Sequence, residues 1–212
     1  MYKKRTLATE HINNHGVIYF FVLVLFLIGI IFGAIIVNSM NWIQKQDLFF
    51  YLEQFFTQML EGPIVEKQEM LKSSFFYHLK YLLLLFVLGL SVIGMPVIWI
   101  LLFIKGLVVG FSVGFFVNQM GWQGLLFAAA SIAPQNLIII PVYLIAGSVA
   151  MIFSLTLIRK IFTRRLQQPI FQPFLRYSLL FISLILIISV ASMIESFVSN
   201  EAMEIVIRSI YQ

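Results

Sequence analysis

The sequence contains no cysteine among its 212 residues. This absence excludes disulfide bonds, thiolate nucleophiles and most structural zinc sites. Charged residues are also scarce, at 11%, whereas 61% of the residues are hydrophobic. Too few residues remain outside the apolar runs to bury a separate soluble core. The composition therefore predicts a single membrane domain over residues 1–212.

Four apolar runs are long enough to cross a lipid bilayer: Val17–Val37, Tyr81–Ile104, Leu137–Ile158 and Tyr177–Ile194. A helix of about 20 residues, rising 1.5 Å per residue, matches a hydrocarbon core roughly 30 Å thick. A backbone in lipid must satisfy its own hydrogen bonds, and these runs show no alternation with a period of two. The predicted fold class is therefore all-α, an integral membrane bundle of helices.

A fifth, glycine-rich stretch lies between the second and third of these runs. If the second run ends inside at Lys105 and the run Leu137–Ile158 ends inside before Arg159, the stretch between these runs must cross from inside to outside. We therefore assign Gly106–Val117 to a further span. Asn118, Gln119 and Gln123 then interrupt the apolar character. We interpret Gly121–Ala133 as a half-buried connection or a re-entrant piece, which gives five crossings in total.

Basic residues are concentrated in two places. Lys3, Lys4 and Arg5 precede the first span, which we interpret as a retained signal anchor. The loop 159–176 has no acidic residue and carries Arg159, Lys160, Arg164, Arg165 and Arg176. The positive-inside rule assigns both places to the cytoplasm and predicts contact with anionic membrane lipid, not with nucleic acid. The loop 38–79 and the tail 195–212 lack this bias and are expected outside, so the N-terminus is predicted inside and the C-terminus outside.

The outer loop contains an amphipathic pattern over residues 47–60. Apolar side chains recur there at intervals of three and four residues, and Gly62-Pro63 ends the pattern. The plainer interpretation is that this face packs on the spans or lies in the membrane interface, and the alternative is a partner-docking face. The candidate docking residues are Leu48, Phe49, Leu52, Phe55, Phe56 and Met59.

Residues suited to catalysis are missing from the apolar runs, because every carboxylate and every histidine lies outside them. His11 and His15 share a helical spacing, but two ligands make a poor metal site. Lys105 is expected at the inner end of the second span, where its ammonium reaches the headgroups. The sequence therefore predicts no enzyme activity, no cofactor and no metal site.

Glycines form two ridges at intervals of four residues. Gly29 and Gly33 lie in the first span, and Gly106, Gly110 and Gly114 lie in the third. Such ridges allow two helix backbones to approach closely. They predict either packing within one chain or self-association into a homo-oligomer.

A polar motif, Pro134-Gln135-Asn136, precedes the fourth long run, and Pro141 follows in it. We expect Asn136 to cap this helix at its N-terminus and Gln135 to form a hydrogen bond to another span. The alternative is a contact with a substrate or ion at a broken helix.

Several of these segments together resemble the family of stage II sporulation protein M, nearly from end to end. They are the basic start, the first-span glycines, the Lys105-Gly106 junction and the segment from Ala133 to Pro141. Broader relatives carry His-Gly after the first proline of that segment and Glu two residues before the second. Here Gln135-Asn136 and Ile139 stand at those positions, which indicates the sporulation branch.

The resemblance implies five spans and a place in the engulfment machinery, on the mother-cell side of the sporulation septum. It also implies assembly with the sporulation proteins D and P, which degrade septal peptidoglycan. We therefore expect a non-enzymatic membrane scaffold that localises these partners. The alternative is a transporter or channel subunit with a site at the break between Pro134 and Pro141.

Overall fold

The computed structural model describes residues 7–61, 67–162 and 171–199, and within these ranges it contains helices and no strand. The helices are α1 Leu7–Ser39, α2 Trp42–Glu61, α3 Lys67–Gly89, α4 Gly94–Ser131, α5 Ala133–Phe162 and α6 Phe171–Ile194, followed by a π-helical turn, Glu195–Ser199. All except α2 are long and apolar enough to cross a membrane. The all-α membrane bundle is thus confirmed. Much of the basic loop and of the C-terminal tail lies outside the described residues.

The predicted second span, Tyr81–Ile104, is wrong because a turn interrupts it. Helix α3 ends at Gly89, and α4 begins at Gly94. In the turn, Ser91 N–H donates to Leu88 O over 3.0 Å and Gly94 N–H donates to Ser91 O over 3.3 Å. A side chain at Gly94 would overlap the Leu88 carbonyl oxygen, so only glycine allows this close return. The apolar run therefore contains the tip of a helical hairpin.

Helix α4 begins before the predicted third span and changes direction at Gly121. Gly121 has φ 57° and ψ −128°, which side-chain-bearing residues rarely adopt. After it, the chain folds back along α4, and the rings of Phe116 and Phe127 meet with centroids 4.7 Å apart. The predicted connection Gly121–Ala133 is therefore mostly a helix that returns along the preceding one. Only a short distortion at Ile132 separates this helix from α5.

Helix α5 lies at the centre of the bundle. It packs against α1, α3, α4 and α6. In its apolar stretch 67% of the residues are buried, compared with 17% to 33% in the other four spans. Beside it, the ring of Tyr177 stacks on Phe86 and Phe153 at centroid distances of 5.0 and 4.4 Å. The outer surfaces of the other spans remain apolar, as a lipid environment requires.

The two glycine ridges pack against each other along α1 and α4. Side chains added at Gly106 and Gly110 would overlap the carbonyl oxygens of Phe26 and Ile30, and one at Gly33 would overlap the Leu107 carbonyl oxygen. The matching order of these contacts shows that α1 and α4 run in parallel. The ridges thus serve packing within the chain, and the homo-oligomer stays a prediction.

The helix directions place several segments at one end of the bundle. Ser154, near the end of α5, donates a hydrogen bond to Ser91 O over 2.9 Å. Because α1 runs parallel to α4, the start of the first span lies at the same end as the turn between α3 and α4. Helix α2 follows the opposite end of α1. Among the described helices, none packs extensively along α2, which contains the predicted amphipathic segment 47–60.

Candidate functional site

A cluster of polar side chains lies inside the bundle where α3, α5 and α6 meet. His78 is buried. Its Nδ1 lies 2.5 Å from the Tyr143 hydroxyl, and its Nε2 lies 3.1 Å from Glu195 Oε2. Ser74 donates a further hydrogen bond to the same carboxylate oxygen. Three helices are therefore linked through two ring nitrogens and one carboxylate.

The helix geometry explains how these groups meet. Ser74 and His78 are four residues apart on α3, so they lie on one face of that helix. Glu195 follows the last residue of α6 and opens the π-helical turn. Single π-helical turns are rare and occur frequently at functional sites. The change of helix type thus coincides with the residue that joins α6 to α3.

Lys105 belongs to the same cluster. It lies about three turns into α4, and its Nζ donates to the Tyr77 hydroxyl over 2.9 Å. The ammonium also lies 4.6, 4.6 and 5.0 Å from the ring centroids of Tyr77, Tyr81 and Tyr143. Aromatic faces attract cations at such distances. The expectation that Lys105 reaches the inner headgroups is therefore wrong.

The expectation that ionisable groups lie outside the spans is wrong as well. His78 lies within the span Gln68–Gly89, and Glu195 lies within the span Phe171–Phe197. The apolar runs predicted from the sequence are shorter than these helices at the ends where His78 and Glu195 lie, so they did not include the two residues. An ionisable residue within a spanning helix is costly and marks a functional site by default. The aromatic and hydroxyl partners of these groups reduce that cost.

A groove opens beside the cluster, between the start of α3 and the π-helical turn. Its volume is about 540 Å³. The lining consists of two carboxylates, three serine hydroxyls, one phenol and one thioether, from Glu69, Met70, Ser73, Ser74, Tyr77, Glu195 and Ser196. None of these residues is a lysine or an arginine. The groove is therefore rich in hydrogen-bond acceptors, and the Glu195 carboxylate belongs both to its lining and to the cluster around His78.

The described residues contain no group of three histidine, cysteine, aspartate or glutamate side chains that could hold a metal ion. The side chain of His11 lies outside the described residues. The cluster therefore offers hydrogen bonds and charge, with a carboxylate as its single anionic group.

The polar motif at the start of α5 differs from expectation. Helix α5 begins at Ala133 and includes Pro134 and Pro141. Asn136 Nδ2 donates to Ile132 O, four residues earlier, over 2.8 Å, so Asn136 is not an N-cap because it lies inside helical structure. Gln135 Oε1 is buried without a hydrogen-bond partner, and the predicted bond to another span is not formed.

Asn136 and Pro141 line a second groove of about 520 Å³, between α4, its returning segment and α5. The other lining residues are apolar: Val109, Val113, Leu125, Ala128, Ala129, Ile132, Ala133, Leu137 and Ile140. Its surface suits lipid or a packed side chain better than a charged solute.

The predicted docking stripe on α2 is only partly accessible. Leu48, Phe49 and Leu52 are half-buried, and the side chains of Phe55, Phe56 and Met59 lie outside the described residues. Among the α2 side chains that the structure describes, the most exposed large ones are Trp42 (75%), Ile43 (68%), Phe50 (56%) and Tyr51 (66%). Helix α2 thus presents an apolar and aromatic surface that the stripe does not include.

Five apolar helices around a cluster of ionisable side chains define a multi-pass helical membrane protein. The model of one family, Stage II sporulation protein M, matches residues 22–200. The chain belongs to this family, and the sequence resemblance is confirmed. No curated protein and no solved structure matches the chain. The family membership identifies a sporulation-related membrane protein.

Proposed function

We propose that the protein is a non-enzymatic membrane scaffold of the engulfment machinery. It holds the peptidoglycan-degrading sporulation proteins D and P at the septum, on the mother-cell side. The observation that carries the proposal is the position of α2, which adjoins the bundle without extensive packing against another described helix. Its exposed apolar side chains give a partner a surface to bind.

The mechanism is an increase in local concentration. A hydrolase held beside the membrane meets its wall substrate at a far higher effective concentration than a freely diffusing enzyme. The scaffold contributes no chemical step, because binding energy alone achieves this confinement.

The two faces of α2 have different roles in this proposal. Leu48, Phe49 and Leu52 are half-buried and hold the helix against the spans or the membrane interface. Phe50 and Tyr51 are exposed and meet the partner, since aromatic side chains dominate binding energy at protein interfaces.

The test is co-purification of proteins D and P with the full chain from sporulating cells. Phe50→Ser combined with Tyr51→Ser should lower the recovered partners by about tenfold or more, as expected for the loss of two aromatic anchors. The matched control combines Gln46→Ser with Asp47→Ser, two exposed polar positions on the same helix. Undiminished recovery with the aromatic variant, at equal membrane insertion, would contradict docking through this face.

A second candidate is a transporter or channel subunit, and the ionisable cluster within the spans is the observation that favours it. The site would then lie at Glu195 and His78, away from the predicted break between Pro134 and Pro141. Proton or potassium flux in proteoliposomes that is abolished by Glu195→Gln would favour transport. Vesicles that remain tight with the unaltered chain would favour the scaffold.

A further inference from the structure

Glu195 is held in place on one side only. His78 and Ser74 both approach the same carboxylate oxygen, Oε2. The other oxygen, Oε1, accepts no hydrogen bond from the described residues, although the side chain is only 32% exposed. Each carboxylate oxygen can accept two hydrogen bonds. Oε2 is held by two partners, so Oε1 remains able to accept hydrogen bonds from a further donor.

The open side of this carboxylate is the groove between α3 and the π-helical turn. The groove is too large for a single water molecule, whose share of liquid volume is roughly 30 Å³, and it accommodates a group the size of an amino-acid side chain. Three serine hydroxyls and the Tyr77 phenol line the same groove as Glu195. A carboxylate ringed by hydroxyls and an aromatic edge complements a ligand with several N–H donors and a short apolar stem.

The charges near the groove favour a cationic ligand. Glu69 and Glu195 both line it, and its lining among the described residues includes no lysine or arginine. Lys105, the nearest cation of the cluster, lies among three tyrosine rings. Its ammonium bonds to the Tyr77 hydroxyl and attracts the Glu195 carboxylate from beyond ion-pair distance. Among the described residues, therefore, no lysine or arginine forms an ion pair with the Glu195 carboxylate.

We propose that this groove is a binding site for a ligand that carries an alkylammonium group, with Glu195 as the anchor and His78 and Ser74 as its positioning residues. The π-helical turn supplies the geometry, since it places Glu195 at the end of α6 facing α3. A free organic amine and a lysine side chain of an extracytoplasmic polypeptide share this chemistry. The proposal is independent of the docking role of α2.

The test uses the full chain in lipid nanodiscs and isothermal titration calorimetry. The probes are butylammonium as the free amine, the peptide Gly-Ser-Lys-Ser-Gly as the tethered amine, and butanol and Gly-Ser-Gln-Ser-Gly as their neutral counterparts, all at one ionic strength set with KCl. We expect at least one ammonium probe to bind about tenfold or more tightly than its neutral counterpart. Tighter binding of the free amine identifies a small-molecule site, and tighter binding of the peptide identifies a polypeptide site.

Three variants localise the binding. Glu195→Gln keeps the shape of the side chain and should weaken the ammonium probe about tenfold or more, whereas Glu69→Gln, at the exposed rim, should weaken it about two- to threefold. Ser73→Arg at the exposed rim places a tethered cation beside the groove and should block the probe without disturbing the buried cluster. This variant keeps the test decisive if Glu195→Gln fails to fold. Equal binding of charged and neutral probes, or unchanged binding in both Glu195→Gln and Ser73→Arg, would overturn the proposal.

Discussion

At the scale of single residues, the hydrogen bonds of His78 join the helices of the bundle at its polar cluster. An imidazole with one nitrogen at a phenol and the other at a carboxylate has both of its polar atoms satisfied. When Nε2–H donates to Glu195, Nδ1 accepts from the Tyr143 hydroxyl. The neutral ring therefore fits this site without an additional buried charge, and each partner fixes the orientation of the others.

The hydrogen bonds of His78 are expected to contribute to the stability of the folded bundle. His78→Phe removes both hydrogen bonds and leaves the Tyr143 hydroxyl and the Glu195 carboxylate short of a partner inside the bundle. We expect a loss of about 1–3 kcal/mol in the free energy of unfolding. The measurement is helical ellipticity during titration from mild detergent into dodecyl sulfate.

A double-mutant cycle supplies the control for this prediction. Combining His78→Phe with Glu195→Gln should cost less than the sum of the two single changes, because the two side chains interact directly. Ser189→Ala removes only an exposed bond within α6 and should change the free energy by less than about 0.5 kcal/mol. Strict additivity of His78→Phe and Glu195→Gln would show that the pair contributes no coupling.

This cluster could not be predicted from the sequence because its members are far apart in the chain. Glu195 is adjacent to the last predicted span, and His78 lies shortly before another, so each looks like an interfacial residue when taken alone. Only the packing of α3 against α6 brings them together. The local signals that exist are the spacing of Ser74, His78 and Tyr81 on one helix and the position of Glu195 directly after an apolar run.

At the scale of helices, the contact between α1 and α4 shows what the glycine spacing achieves. Gly29 and Gly33 face Gly106 and Gly110 so closely that side chains there would meet backbone atoms of the opposite helix. Helices without a hydrophobic driving force between them gain their stability from such close van der Waals contact. The glycine spacing predicted a close contact between helices, and the structure shows that the ridge of α1 packs against the ridge of α4.

Gly110→Ala is the sharpest test of this contact. The added methyl group would overlap the carbonyl group of Ile30, and the two helices must separate to accept it. We expect destabilisation by about 1–3 kcal/mol, the usual cost of overpacking. Unfolding in dodecyl sulfate measures it.

Gly114→Ala is the matched control on the same ridge. Its added methyl carbon would lie 3.3 Å from Ala34 Cα and 3.6 Å from Ala34 Cβ, which requires only a small adjustment. The effect should therefore be clearly smaller than that of Gly110→Ala. Equal effects at both positions would contradict the packing of α1 on α4 described above.

The turn between α3 and α4 shows the limit of hydropathy. Residues 90–93 contain leucine, serine, valine and isoleucine, and the apolar run continues through them without a charge. Average hydrophobicity therefore predicts one uninterrupted helix. The signals for a turn are Gly89, Ser91, Gly94 and Pro96 within a short stretch. Glycine and proline are strong indicators of a turn, even in a segment of apolar residues.

At the scale of the whole molecule, helix directions can be combined with the distribution of charge. The start of the first span, the turn at residues 90–93 and the end of α5 share one end of the bundle. In the chain, residues 3–5 precede the start of α1, and Arg159 and Lys160 lie in the last turn of α5. Basic residues next to this end agree with the positive-inside rule, which predicts that it faces the cytoplasm and that α2 lies outside.

The absence of cysteine makes the orientation directly measurable, since every introduced thiol is the only one in the chain. Asn41→Cys, between α1 and α2, should react with a membrane-impermeant maleimide in intact cells. Ser91→Cys lies in the turn between α3 and α4 and should react only after the membrane is permeabilised. Labelling of Ser91→Cys in intact cells, with protection of Asn41→Cys, would reverse the orientation. The groove beside Glu195 lies at the end of the bundle opposite to this turn, so it would then face the cytoplasm.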